Sequence, residues 1–334
     1  LVVRRFGLRR QFPPEALEEL RRALRVDWEE ELSRRLDLRG ALLFTIDPED
    51  AKDFDDAISL WRNGERWVLG VHIADVSRFV REGGALDAEA EDRGTSVYLL
   101  DTVIPMLPFE LSAGEASLSP EGPKLAVSVF LHYDERGRFL GAEFSPSVIQ
   151  SKRRLTYEEA EELLEGGGGE VGETLRRMWD LARRLREVRL KMGYLDIEIH
   201  EPHFTFSPEG RVLDVRPEPE LRSHELIEEF MIAADRAVAA RLRGLPVIYR
   251  VHAKPDPKKI KAFSELAKTL LGITVPAEPQ PKDLSRVLEA AQGTPYRKIL
   301  SYYLLRSLKR ASYSVEPVGH FGLPVKEYVH FTSP

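Results

Sequence analysis

The sequence predicts an α/β (α+β) protein, a mixed sheet packed by helices. Three observations carry that expectation. Stretches of period-two alternation, such as Leu69, Val71 and Ile73, mark half-buried strands. Longer stretches with apolar residues every three or four positions mark helices, such as 224–242 with Leu226, Phe230, Ala233 and Ala237 on one stripe. The two kinds alternate with only short turns between them. No linker or internal repeat divides them, so the chain reads as a helical lead-in over residues 1–38 and one large domain over 39–334, although 334 residues could fill two.

The elements follow in order. Arg4, Arg5, Arg9 and Arg10 make a solvated terminus, preferred over a phosphate-contacting arm. Pro13-Pro14 opens a helix whose first turns carry Glu15, Glu18 and Glu19, as the helix dipole prefers. A second helix covers 28–36, and the apolar run 41–44 ends a strand. Strands at 57–60 and 67–73 are joined by the turn Arg62-Asn63-Gly64-Glu65. His72, at the end of the second, reads as a core or surface histidine rather than a ligand. A helix at 86–93 precedes a Pro-bounded extended segment around 96–108. Strands at 125–133 and 140–145 form a hairpin, then helices follow at 156–164 and 171–191 around the loop Gly166 to Gly169. A hairpin at 197–206 and 212–215 turns on Pro208-Glu209-Gly210. After the helix at 224–242 come a strand at 247–251, ending in Arg250 and His252, and helices at 254–271, 283–291 and 298–312.

Composition bounds the function. Hydrophobic residues are 43% and charged residues 31%, as in a soluble globular protein. No apolar run reaches membrane-spanning length and no signal peptide is visible, so a membrane partner is not expected. Cysteine is absent, which excludes disulfides, thiolate nucleophiles and Cys-based zinc sites and suits a cytoplasmic protein. Net charge is −6, so any affinity for nucleic acid must come from a local basic excess. The chain begins at Leu1 and ends at Thr332-Ser333-Pro334, and is expected to be either a fragment or the ordered part of a longer chain.

The chemistry concentrates in Thr45 to Ala57, T-I-D-P-E-D-A-K-D-F-D-D-A. Asp47, Asp53, Asp55 and Asp56 fall within ten residues, between the apolar flanks Leu42, Leu43, Phe44 and Ala57, Ile58, Leu60. Crowded carboxylates repel and lose solvation where they are partly buried, unless a cation sits between them. Mg²⁺ or Mn²⁺ would suit all-oxygen donors. The spacing lacks the central Gly and closing Glu of a calcium loop. An acidic surface loop of caps and turns is the competing reading, but the apolar flanks and Phe54 tie this loop to the core. A second cluster, Lys152-Arg153-Arg154 followed by Tyr157, is either a solvated strand end or a phosphate clamp with a stacking ring.

Ordered motifs then give a resemblance. They are the acidic stretch from Thr45, G-V-H-I-A-D-V-S from Gly70, T-S-V-Y-L from Thr95 and I-P-M-L-P from Ile104. They continue through S-K-R-R-L-T-Y from Ser151, L-I-E-E-F-M from Leu226, Y-R-V-H from Tyr249, H-F-G-L from His320 and H-F-T-S-P from His330. From about Arg39 to the end, the chain resembles the catalytic (RNB-type) domain of the ribonuclease II and ribonuclease R family. The resemblance implies helices and sheet around a deep RNA channel. It implies a Mg²⁺-dependent hydrolytic 3′→5′ exoribonuclease that degrades single-stranded RNA processively to nucleoside 5′-monophosphates, acting as a monomer. Asp47, Asp53, Asp55 and Asp56 would hold metal, two ions if the chemistry follows the two-metal pattern, with Asp53 and Asp55 catalytic and Asp55 indispensable. Tyr98 would position the terminal nucleotides, Tyr157 would line the channel, and Glu228 would bond a ribose hydroxyl, which separates RNA from DNA. Lys152, Arg153, Arg250 and His252 would complete the RNA contacts.

Departures bear on this reading. The family's Ile-Arg-Arg-Tyr-like stretch would follow Ser333-Pro334, so the catalytic domain reads as truncated there, and the flanking oligonucleotide-binding modules are not in this sequence. Ile197 stands where the family often has a base-clamping Phe, and Asp235 where an Asn is usual. The alternative is a catalytically impaired RNA-binding or regulatory module on the same fold, and a third reading is a phosphohydrolase acting on small phosphates.

Overall fold

The computed structural model describes residues 2–99, 102–197, 202–207, 211–217 and 221–333. The elements are α1 (Val2–Arg5), α2 (Pro14–Ala23), α3 (Trp28–Arg34), β1 (Leu36–Leu38), β2 (Leu43–Asp47), β3 (Asp56–Asn63), β4 (Arg66–Ala74), α4 (Ala85–Arg93), β5 (Val97–Tyr98) and β6 (Val103–Ile104). Then come β7 (Lys124–Tyr133), β8 (Phe139–Ile149), β9 (Arg153–Thr156), α5 (Tyr157–Glu165), α6 (Gly169–Lys191), β10 (Pro202–Phe206), β11 (Val212–Pro217) and α7 (Arg222–Arg241). The last are β12 (Tyr249–Val251), α8 (Pro257–Leu271), α9 (Pro281–Ala290), α10 (Arg297–Ser307) and β13 (Ser312–Ser314). The mixed α+β class predicted from the sequence is the class observed.

The chain forms two compact units, Leu1–Arg177 with Thr332–Pro334, and Met178–Phe331. The division falls inside α6. A helix carries no linker composition, which is why the sequence shows no seam there.

In the first unit, seven strands pair in the order β1-β8-β7-β4-β3-β2-β9. The outer pairs, β1 with β8 and β2 with β9, are parallel, and the inner pairs are antiparallel. Two short links force this sheet to curl. Leu38 to Leu43 must pass from the first strand of the sheet to the sixth, and Ile149 to Arg153 from the second to the seventh. In a flat sheet each step would cross five spacings, about 24 Å. Five residues reach at most about 17 Å and four about 14 Å. The two edges therefore approach each other, and Lys152 N–H donates to the Leu43 carbonyl at 2.8 Å.

The strands' burial follows from their sequence. β4 is buried from Val68 to Ala74 because residues on both of its faces are covered. Its one polar interior residue, His72, is satisfied across strands: Nε2 to Ser59 Oγ at 2.8 Å and Nδ1 to Ser128 Oγ at 2.7 Å, with Ser128 Oγ in turn 2.6 Å from Ser147 Oγ. Gly70 makes room for this ladder, since a Cβ there would lie 2.3 Å from Ser59 Oγ and 2.8 Å from His72 Nε2. Burial pushes the His72 imidazolium down to about 3, so the ring is neutral, as a core histidine should be. The β3–β4 hairpin closes more tightly than predicted: Asn63 pairs with Arg66, leaving Gly64-Glu65 as a two-residue turn with φ +62° at Gly64.

Helices α2, α3 and α4 cover one face of the sheet. Ala16, Leu20, Leu43, Leu86, Leu125, Val148 and Ile149 share one core there. The N-terminus is held rather than loose, unlike the sequence expectation. Arg93 donates to the Arg9 and Gln11 carbonyls at 3.0 and 2.8 Å and lies 3.7 Å over Phe12, while Arg9 pairs with Asp92 and Glu89. The helix predicted at 28–36 stops at Arg34, because buried Glu31 draws Arg34, Arg35 and Arg78 around itself and β1 begins at Leu36. At β9, Thr156 and Glu159 form a capping box that starts α5.

In the second unit, α8, α9 and α10 pack around Phe263, Leu284, Leu288, Leu300 and Leu304. β12 and β13 form an antiparallel ribbon, as do β10 and β11. The predicted turn Pro208-Glu209-Gly210 lies outside the described residues. The last predicted helix, 298–312, is shorter than expected, because β13 takes residues from Ser312 onward to pair with β12.

Candidate metal and nucleic-acid sites

The acidic stretch is the link between β2 and β3, at the C-terminal end of one strand and the N-terminal end of the next. Asp47 closes β2, opposite Thr156 of β9, and Asp56 opens β3, opposite Ile73 of β4. The sheet therefore fixes these two acids, and the loop carries Asp53 and Asp55 between them. The Asp55 carbonyl accepts from Ala74 N–H at 2.9 Å. Phe54 is tied down on both sides: its N–H donates to Ser117 Oγ at 3.0 Å, and its carbonyl accepts from Leu118 N–H at 2.8 Å. Ser117 Oγ–H also donates to the Lys52 carbonyl at 3.3 Å. The Phe54 ring packs on the core, as its position between the acids suggested.

The carboxylates sit in surroundings that disfavour their charge. Burial pushes Asp47 up to about 6, with Asp53 adding to the rise and Arg154 opposing it. Burial, then the charges of Asp53 and Asp47, push Asp55 up to about 7. Burial, then Asp47 and Asp55, push Asp56 up to about 8. Asp47 Oδ2 and Asp56 Oδ2 are buried with no hydrogen-bond partner. A buried carboxylate oxygen without a donor is unfavourable by itself, and a hard cation is the partner that this all-oxygen set fits. Among the described residues no three His, Asp or Glu side chains converge closely enough to hold an ion on their own.

Tyr98 lies on β5 in the same unit and is 69% exposed. Burial, then the charges of Asp53 and Asp55, raise its phenol, so the ring stands near these two acids. Lys152 Nζ donates to the Arg39 carbonyl and Arg154 to the Pro48 and Glu49 carbonyls, so two of the three residues in the basic cluster serve the backbone. Arg153 is exposed. Tyr157 opens α5 and is half-buried.

The second unit carries the other predicted residues. Glu228 and Glu229, adjacent on α7, have opposite fates: Glu229 is buried and Glu228 keeps a 44% exposed side chain. Arg189 of α6, itself buried, donates to Glu229 and to Glu228 Oε1 at 3.1 Å, and its guanidinium lies 3.5 Å over the Tyr194 ring. Tyr194 O–H donates to the same Glu228 Oε1 at 3.1 Å. Burial, then the Glu228 charge, push Tyr194 up to about 12. The motif reading missed Arg189 and Tyr194. Neither carried a motif signal, although Tyr194 lies three residues before the departure at Ile197. Asp235, the other departure, hydrogen-bonds the Tyr328 hydroxyl.

Arg250 of β12 lies 4.8 Å over the ring of Tyr313, whose hydroxyl is 2.8 Å from His330 Nδ1. His252 is buried. Its Nε2–H donates to the Lys309 carbonyl at 2.8 Å and its Nδ1 accepts from Gly322 N–H at 3.1 Å, while its ring meets His320 at 5.0 Å. Burial lowers its pKa, so it is a neutral group that ties the end of β12 to the Lys309 and Gly322 backbone.

The chain belongs to the RNB domain family, which it matches over residues 35–334. Among curated proteins it is similar to ribonuclease R of Thermotoga maritima, 44% identical over 97% of this chain and 47% of that protein. Two solved structures of Mycoplasma genitalium RNase R share its fold. One, in complex with ribose-methylated single-stranded RNA, has a TM-score of 0.88 at 28% identity, over 97% of this chain and 52% of that one. The other, in complex with double-stranded RNA, has a TM-score of 0.90 at 28% identity, over 100% and 61%. The chain spans about half the length of the curated relatives it matches. No helix among the described residues is long and apolar enough to cross a membrane.

Proposed function

We propose that this chain is the catalytic domain, over residues 39–334 with 1–38 as its lead-in, of a hydrolytic 3′→5′ exoribonuclease. It would degrade single-stranded RNA processively to nucleoside 5′-monophosphates with Mg²⁺, in two sites that Mn²⁺ can also fill. The observation that carries the proposal is the pair of buried, unpartnered carboxylate oxygens on Asp47 and Asp56, whose charges are disfavoured by Asp53 and Asp55 at one end of the sheet. Family membership and RNA-bound neighbours support it.

In this reading Asp47, Asp53, Asp55 and Asp56 hold the metal. When bound, it supplies charge stabilisation at the phosphoryl oxygens. Exposed Asp53 and half-buried Asp55 are the two acids able to orient water at the scissile phosphate, and Tyr98 stacks on the nucleotide beside them. Lys152, Arg153, Tyr157 and Arg250 contact the strand. His252, with both ring nitrogens already bonded to the Lys309 and Gly322 backbone, supports the end of the strand that carries Arg250. Glu228, held by Arg189 and Tyr194 through one oxygen, offers its exposed head to a ribose hydroxyl. The enzyme works as a monomer in the cytoplasm.

The test is incubation of the chain with uniformly labelled single-stranded RNA and Mg²⁺, read by chromatography of the products. The expected result is stepwise release of nucleoside 5′-monophosphates. RNA binding with no release at any Mg²⁺ or Mn²⁺ concentration would favour an impaired binding module instead.

A further inference from the structure

One arginine holds the start and the end of the acidic loop. Arg154 lies in β9, opposite Thr45 in the parallel register with β2. Its Nη2 donates to the Pro48 carbonyl at 2.5 Å and the Glu49 carbonyl at 2.8 Å, the two residues that follow Asp47. Its guanidinium lies 5.5 Å from the centre of the Phe54 ring, on the residue before Asp55. Ser117 and Leu118 hold the far side of Phe54. Phe54 thus sits between two clamps, and Arg154 reaches both the entry of the loop and Phe54 near its exit.

We propose that Arg154 is a positioning residue for the divalent-metal site. It fixes the distance from Asp47, on the strand, to Asp53, Asp55 and Asp56 across the loop before any cation or RNA arrives. The inference rests on the metal reading proposed above. Four carboxylates repel one another, and repulsion alone opens the loop. The guanidinium opposes that with one Nη2 amino group bridging two carbonyls while its central carbon lies over an aromatic ring. Lysine keeps the charge but, with a single compact ammonium, cannot reach the carbonyls and the ring at once. Residues behind the ligands typically change metal affinity by about 10- to 100-fold when they are lost.

The test separates geometry from charge. Mn²⁺ binding to the whole chain is followed by loss of the free-ion EPR signal, for the wild type, Arg154→Lys and Arg154→Gln, with the metal-free thermal midpoint measured in parallel. Removing a positive charge by itself draws cations in, so a purely electrostatic role would make Arg154→Gln bind more tightly. A positioning role makes both variants bind about 10- to 100-fold more weakly, with midpoints within a few degrees of wild type and with cleavage by Arg154→Lys recovering at high Mn²⁺. Wild-type affinity in Arg154→Lys, or tighter binding in Arg154→Gln, overturns the inference and leaves the metal site standing. No Mn²⁺ uptake by the wild type overturns both. Should Arg154→Gln fail to fold, Arg154→Lys, with the same charge and a similar stem, still decides.

Discussion

Glu228 shows how one residue's role depends on neighbours that its sequence position does not reveal. The Glu pair on α7 is symmetrical in sequence, yet one member is buried against Arg189 and the other projects with one oxygen fixed. Replacing Tyr194 with Phe removes one donor from Glu228 and leaves Arg189 in place. A hydrogen bond to a charged group contributes about 1.5–3 kcal/mol when buried, and less for this half-exposed carboxylate. The expected effect of Tyr194→Phe is a KM for RNA raised about 3- to 10-fold with kcat within about twofold, because ground-state positioning is lost and the metal acids are untouched. Asp55→Asn acts on the chemistry itself. Steady-state kinetics should show cleavage falling by about 10³-fold or more, while filter binding of RNA survives, since one repulsive charge is also removed. Loss of binding in that variant would contradict the assignment.

At the scale of elements, the loop between β2 and β3 gains its order from outside itself. Its motif was legible in the sequence, because acids between apolar flanks are conspicuous wherever they occur. Its clamps were not legible: Ser117 and Arg154 are separated from it by about sixty and a hundred residues, and only sheet topology brings them near. The central strand gives a direct test. Gly70 opens the G-V-H-I-A-D-V-S motif, but its reason emerges only from the Ser59–His72–Ser128 ladder it accommodates. Gly70→Ala should destabilise the first unit by about 1–3 kcal/mol, the usual range for overpacking a filled interior, read as a lower urea midpoint. A fully wild-type midpoint would mean that the ladder yields easily and is not tightly packed.

At the scale of the whole molecule, two buried groups set the acid limit of stability. Glu31 is buried; its burial raises it, but hydrogen bonds from Arg34, Arg78 and Arg35 outweigh that and bring it down to about 2. A depressed carboxyl contributes stability that is present above its unfolded value, near 4.5, and lost as pH falls through about 2. His72 is held neutral down to about 3 against an unfolded value of 6.5, so the unfolded chain binds the proton first and stability falls as pH drops from 6.5 towards 3. Asp47, Asp55 and Asp56 act in the opposite sense: raised to about 6, 7 and 8 from 3.8, they bind protons first in the folded chain, so their contribution to stability rises as pH falls from 8 towards 4. The His72 contribution is therefore read as a difference: the thermal midpoint of His72→Asn relative to wild type should improve as pH falls from 6.5 towards 3. Mg²⁺ added near neutral pH should raise the midpoint, by about 2.7 kcal/mol of stability at a hundred times its dissociation constant, and Asp56→Asn should remove most of that gain.

The sequence by itself determined the fold class, most strands and helices, and the acidic motif, because period, turn chemistry and charge crowding are local properties of the chain. It also carried the family, through motifs spread over nearly its whole length. Only the tertiary structure decided how tightly the sheet curls, which of two adjacent glutamates faces out, that His252 is an anchor, and that Arg154 grips the loop it follows by a hundred residues. The physical reason is the same in each case. These outcomes depend on contacts between residues far apart in the chain, and a strand's partners across a sheet leave no periodic trace in its own sequence.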